Sequence, residues 1–190
     1  MSKIHPKNNN QVMVDIETLS TRPDSVILVI GAIKFSRNVH LQPFDKLDKI
    51  DIFYRRINIA SCTDIGLRVD DSTLKWWQKQ NQNARYEALE NPDRIPLKQA
   101  LQEFSSFIKD SSNIWANSPD FDCTILGEAF NRCEIEIPWK FWNTRDCRTL
   151  FDLGGVSKVN MPSGDEHNAI HDCYRQIVGV KQALKNLSLV

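Results

Sequence analysis

The sequence predicts a single α/β domain, a mixed sheet flanked by helices. The prediction rests on an alternating strand at residues 12–17, a β-branched apolar run directly after it, and helical spacing of apolar residues through the second half. Strands that come first and then alternate with helices describe a sheet covered by helices. In VMVDIE, period two places Val12, Val14 and Ile16 on one face and Met13, Asp15 and Glu17 on the other. A turn at Thr21, Arg22, Pro23 and Asp24 leads into SVILVIGAIKF, which reads as a buried antiparallel partner strand. Residues 53–59 (FYRRINI) are a third, less regular strand.

The period then changes. Asp71, Ser72 and Thr73 offer caps for a helix over 73–90, in which Leu74, Trp77, Arg85 and Leu89 keep a loose helical rhythm. Pro96 opens a second helix to about Lys109, with a core-facing stripe of Leu97, Leu101, Phe104 and Ile108. NIWA (113–116) is a short strand, followed by a polar elbow and then a helix after Asp122. Residues 141–152 form a strand or turn running into a short helix at RTLFDL, and residues 154–166 form a polar loop. The last helix spans about 168–187 on Ile170, Cys173, Ile177, Val180, Leu184 and Leu187.

Composition bounds the function. With 190 residues the chain suits one core, expected as a single domain over 12–190 behind a polar, flexible arm at 1–11. Lys+Arg and Asp+Glu both number 24, so no global basic field exists to hold long duplex nucleic acid or an anionic membrane. The longest apolar run, residues 26–33, falls far short of the ~20 residues needed to cross a bilayer. The arm lacks the apolar segment of a signal peptide, and five scattered cysteines without a Cys-x-x-Cys pair fit a reducing cytoplasm.

Chemistry concentrates in three segments. Asp15 and Glu17 end an apolar strand on one side of it; either they face water at the strand end or they need a cation, because a buried unpaired charge costs several kcal/mol. Asp120 and Asp122 follow a short strand and precede a helix, where an acid can act as cap, as ligand, or as both. His167 and Asp172 are five apart, about 140° off a shared helical face, so they converge only if His167 lies in the loop before the helix. A loop histidine can accept a proton at neutral pH. His171, four after His167, lacks the glutamate of a His-Glu-x-x-His zinc motif. Joined, Asp15, Glu17, Asp122 and Asp172 are hard oxygen donors suited to two Mg²⁺ or Mn²⁺ ions, the arrangement used for phosphodiester cleavage.

Asp-Ile-Glu-Thr on a first strand, Asn117 and Phe121-Asp122 with Leu126 four residues on, and His167-x-x-x-x-Asp172 resemble the motifs of the DEDDh (DnaQ-like, RNase T-like) 3′→5′ exonucleases. The likeness runs from Val12 to about Leu184, and TLKWWQ (73–78) resembles the branch containing phage exonuclease A and the exodeoxyribonuclease VIII-like proteins. The resemblance implies a ribonuclease H-like fold, metal ligands at Asp15, Glu17, Asp122 and Asp172, and His167 as general base. Asp122 is favoured over Asp120, although the spacing from Asn117 is one longer than in many relatives. Thr18 and Leu19 are then expected beside the terminal nucleotide, Leu19 as an apolar wedge, and Trp76 as a stacking surface, with Trp77 in the core. Lys75, Lys79 and Arg85 are phosphate candidates, whereas Arg55 and Arg56 read as a solvated strand edge. The implied partner is a single-stranded DNA or RNA 3′ end, with monomer and homodimer both compatible. The alternative is a catalytically silent nuclease-fold protein that binds nucleic acid or another protein.

Overall fold

A computed structural model describes residues 10–157 and 167–190. Its sheet is built outward from β1 (Asn10–Thr18), which lies at the centre of the strand order β3-β2-β1-β4-β5. β1 pairs antiparallel with β2 (Ile27–Ser36), which pairs antiparallel with β3 (Ile52–Arg56). On its other side β1 runs parallel to β4 (Asn113–Ala116), and β4 runs parallel to β5 (Thr144–Asp146). The β-branched run therefore forms the expected antiparallel partner. Gln11, at the start of β1, fastens the parallel pair: its Oε1 accepts from Trp115 Nε1 at 2.9 Å and Asn113 Nδ2 at 3.0 Å.

Both faces of the sheet are covered, as period two requires of a strand apolar on each side. Val12, Val14 and Ile16 pack with Leu97, Leu101 and Phe104 of α4 (Leu97–Ile108) and with Ile125, Leu126 and Phe130 of α5 (Pro119–Arg132). Met13, Ile33 and Trp115 pack on the opposite face with Cys173, Ile177, Val180 and Leu184 of α7 (Ala169–Asn186), beside Cys147 of α6 (Cys147–Leu153). All five cysteines are buried free thiols. No helix among the described residues is long and apolar enough to cross a membrane.

Several boundaries differ from the sequence expectation, each for a local reason. β1 begins at Asn10, and the rest of the expected arm, residues 1–9, lies outside the described residues, as do residues 158–166 of the polar loop. β3 stops at Arg56 because Asn58 caps a short helix, α1 (Ile59–Thr63), accepting from Ser61 N at 3.3 Å. The single helix expected over 73–90 is broken. α2 (Asp71–Trp77) ends in a turn, Asn81 then caps α3 (Gln82–Arg85) by accepting from Ala84 N at 2.9 Å, and Tyr86–Glu90 continues as a π-helical turn. α5 starts earlier than expected: Pro119 sits at its first turn, and Ser118 O accepts from Phe121 N at 2.8 Å and Asp122 N at 3.3 Å, so Asp122 is already helical.

Close packing sets where α7 begins. Gly31, directly opposite Asp15 in the β1/β2 register, leaves no room for a side chain: a Cβ there would lie 2.8 Å from Ala169 Cβ and 2.9 Å from its carbonyl carbon. The first turn of α7 is thereby held against the sheet at the level of the acids. Gly31→Ala is expected to lower stability by ~1–3 kcal/mol in urea denaturation through overpacking, with Ala169→Gly in the same chain recovering part of the loss; a Gly31→Ala protein as stable as wild type would show that the contact imposes no constraint.

Candidate active site

The acids on β1 reach one spot because the strand keeps its register with β2 up to them and slips just beyond. Asp15 and Glu17 share the α7 side of the sheet, and the register slips between Glu17 and Thr18, a bulge that ends the ladder beside the site. One carboxylate oxygen each of Asp15, Glu17 and Asp172 lie within 4.8 Å of one another, drawn from the end of β1 and the first turn of α7. Asp122 adjoins this group from α5. It is 4% exposed and its Oδ1 accepts from Ile16 N at 3.2 Å, which places it behind the backbone between the two strand acids. Asp120, the competing acid, is exposed.

The electrostatics follow from that crowding. Burial, then the fields of Asp122 and Glu17, pushes Asp15 well above the usual carboxylate range, opposed by a hydrogen bond from Gln176 and the charge of Arg175. Burial and then Asp122 push Glu17 up to about 8. Burial raises Asp122 to about 7 against the Ile16 N–H, its own backbone and Arg148. Three crowded acids with raised pKa values, Glu17 and Asp122 buried and Asp15 half-buried, form a donor set short of positive charge, and hard carboxylate oxygens fit Mg²⁺ or Mn²⁺.

His167 lies, as expected, in the turn before α7, whose cap is Asn168, accepting from Ile170 N at 3.2 Å and His171 N at 3.4 Å. Its φ of 62° is a left-handed conformation. The other non-glycine residue of this kind near the site is Ser118, φ 120°, at the elbow before Asp122. Backbone strain of this kind, ~1–3 kcal/mol each, persists where the surroundings fix it. The His167 ring sits edge-on to Trp76, centroids 4.7 Å apart, and 6.3 Å from Trp77. Trp77 is 1% exposed and its indole N–H donates to Thr18 O at 2.9 Å, so it is a core residue, whereas Trp76 is 41% exposed.

An open cleft of about 340 Å³ extends from the acids, lined by Ile16, Glu17, Thr18, Trp76 and Phe121 among others. Thr18 and Trp76 line this cleft. Leu19 does not: it is 2% exposed in the core, and its N–H donates to Val26 O at 2.9 Å, so neither wedge nor free N–H is available there. The first residue past a strand is drawn inward when its ladder continues, as this one does to Val26. Arg55 and Arg56 are held by Glu103 (2.6 Å) and Glu87, so neither is a free clamp. Sequence reasoning missed Phe121 as a cleft wall and the two α7 residues that touch the acids. Arg175 pairs with Asp172, and Gln176 Nε2 donates to Asp15 Oδ1 at 2.9 Å. Their signal was available, since residues three and four after Asp172 share its helical face.

In metal-free protein Glu17 and Asp122 keep protons that the unfolded chain, with values of 4.5 and 3.8, gives up. The native state then binds more protons between those values and about 7 to 8, so stability falls as pH rises through that window. In EDTA the Tm is expected to decline from about pH 5 to about pH 8, less steeply in Glu17→Gln, and Mn²⁺ is expected to restore it at the upper end. A Tm in EDTA that is flat or rises over this range contradicts the burial of uncompensated acids.

The model of the Rv2179c-like 3′-5′ exoribonuclease domain matches residues 10–184. The exodeoxyribonuclease of Enterobacteria phage T4 is 24% identical over 204 residues, covering 91% of this chain and 88% of that protein. Zinc-bound E. coli ExoI in complex with ssDNA superposes with a TM-score of 0.64 at 16% identity; the match covers 94% of this chain and 41% of ExoI, so the chain spans less than half of that protein. The nuclease domain of 3′hExo, a DEDDh family member bound to rAMP, gives a TM-score of 0.58 at 10% identity over 95% of this chain and 94% of that one. These structural likenesses fix the fold as the ribonuclease H-like mixed sheet, and the family match extends from the first residue of β1 to the last buried residue of α7. The chain belongs to the Rv2179c-like 3′-5′ exoribonuclease domain family and is a 3′→5′ exonuclease.

Proposed function

We propose that the chain removes nucleoside 5′-monophosphates one at a time from single-stranded or frayed DNA or RNA 3′ ends, with Asp15, Glu17, Asp122 and Asp172 holding two divalent ions and His167 acting as general base. The observation that carries this reading is the convergence of the Asp15, Glu17 and Asp172 oxygens within 4.8 Å, with buried Asp122 behind them. Mg²⁺ or Mn²⁺ bound there would supply the positive charge that activates the attacking water and stabilises the departing 3′ oxygen.

The chain's own residues do the rest. His167 takes the proton from the water whose oxygen forms the new bond to phosphorus; the P–O3′ bond to the penultimate nucleotide breaks, and its electron pair stays on the 3′ oxygen, which is then protonated. The edge contact with Trp76 limits where the imidazole can turn. The cleft of about 340 Å³ matches one terminal nucleotide, with Ile16 and Phe121 forming apolar wall and the exposed face of Trp76 available for stacking. Single strands suit the site because a chain of zero net charge has little to neutralise the phosphates of long duplex. The relatives' names point to both sugars: T4 exodeoxyribonuclease, the exoribonuclease family, ExoI with ssDNA and 3′hExo with rAMP. A reducing cytoplasm is consistent with the buried free thiols.

The test is digestion of matched 5′-labelled DNA and RNA oligonucleotides with Mg²⁺ or Mn²⁺. A ladder shortening from the 3′ end is expected, abolished by EDTA and by Asp15→Ala, and slowed ~10²–10⁴-fold in kcat by His167→Ala. Trp76→Ala is expected to raise KM by a factor corresponding to ~1–3 kcal/mol of lost stacking. Full activity in Asp15→Ala, or oligonucleotide release from a 3′-blocked strand, would overturn the reading, and no cleavage under any metal would leave a nucleic-acid-binding module.

A further inference from the structure

Arg175 is the one basic side chain paired directly with an acid of the cluster among the described residues. It lies three residues after Asp172 on the same face of α7, and the two side chains are 17% and 20% exposed, so the pair is partly desolvated. The next residue, Gln176, is 6% exposed and donates to Asp15 Oδ1 at 2.9 Å. Consecutive polar residues of one helix thus engage acids from two different elements, Arg175 on α7 itself and Gln176 across to β1. Among the described residues the Gln176 carbonyl oxygen has no hydrogen-bond partner, and the amide engages Asp15 through its nitrogen.

A guanidinium is always charged, offers donors and no lone pair, and cannot serve as a metal ligand. Near a divalent ion it is repelled, with an energy that grows as water is excluded. Its long stem lets it swing away.

We propose that Arg175 is an internal cation of the acidic site: its guanidinium balances Asp172 in the metal-free protein and must leave that carboxylate before a divalent ion takes it up. Arg175 is then a positioning residue that sets the metal concentration at which the site fills, and it holds the acids together when no ion is bound. Lys in its place keeps the charge and the function. An uncharged residue removes the competitor and exposes the acids to one another. The inference rests on the reading of these acids as metal ligands and adds to it the identity of the group that competes with the metal.

The experiment is calorimetric titration of Mn²⁺ into metal-free wild type, Arg175→Gln and Arg175→Lys, together with thermal unfolding of each in EDTA at one fixed pH of about 8. Arg175→Met, which keeps the apolar stem, replaces the glutamine variant if that one does not fold. Expected is Mn²⁺ binding at least ~5-fold tighter in Arg175→Gln with a lower Tm in EDTA, and near wild-type values in Arg175→Lys. Wild-type binding with equal or weaker binding in Arg175→Gln would overturn the role of Arg175 alone. No Mn²⁺ binding in any form would instead overturn the metal-site reading of the acids.

Discussion

The constraint on which the molecule turns is the confinement of like charges at the end of a strand that has no freedom to move. β1 is paired on both edges at residues 11–13 and, at the acids, pairs with β2 on one edge while Asp122 takes the Ile16 N–H on the other; with the sheet covered on both faces, Asp15 and Glu17 are held close to each other and to Asp122. Their pKa values rise as the physical consequence. A protein that needed only a stable sheet would place valines there, as it does at Val12 and Val14. Holding acids in that position costs stability in the absence of a cation, and the surroundings are arranged to limit the cost: a Gln176 donor, an Arg175 charge and the Ile16 N–H on Asp122.

The remaining architecture delivers groups from distant parts of the chain to that fixed point. β4 and α5 carry Asp122 in through an elbow at Ser118, and the turn at His167 begins the helix that carries Asp172; both elbows are strained at a non-glycine residue. Gly31 allows the start of α7 to press on the sheet opposite Asp15. The tryptophan pair of α2 joins the pieces. Trp77 is tied to the backbone of β1 through Thr18, while its neighbour Trp76 meets the His167 ring. One short helix thereby relates the acid strand to the histidine turn and forms a wall of the cleft.

Much of this was legible in the sequence because the signals were periodic. Period two set Asp15 and Glu17 on one side of β1 and apolar residues on the other; the stripe of α4 proved buried, as did that of α7 at Cys173, Ile177, Val180 and Leu184, while Ile170 is half-buried and Leu187, just past the helix, is exposed. His167 stands in the turn before its helix, the position from which it can approach Asp172, and of the two acids near Pro119 the buried one is Asp122. What was not legible depended on side chains competing with the pattern. Asn81 capped a new helix inside the one that periodicity drew over 73–90, Asn58 capped a helix where a strand was expected to continue, and Leu19 was drawn into the core by a backbone bond to Val26. Arg175 and Gln176 were readable as neighbours of Asp172 by helical spacing, and what the sequence left out is that this face of α7 stands beside Asp15.

The central claim is that Asp15, Glu17, Asp122 and Asp172 form one site for divalent ions. Anomalous diffraction from crystals equilibrated with Mn²⁺ tests it most directly. The account predicts manganese peaks bridging the carboxylates of β1 and Asp172, with the Arg175 guanidinium moved off Asp172. Manganese bound elsewhere, or an ordered Arg175–Asp172 pair with no peak between these acids at saturating Mn²⁺, would contradict it.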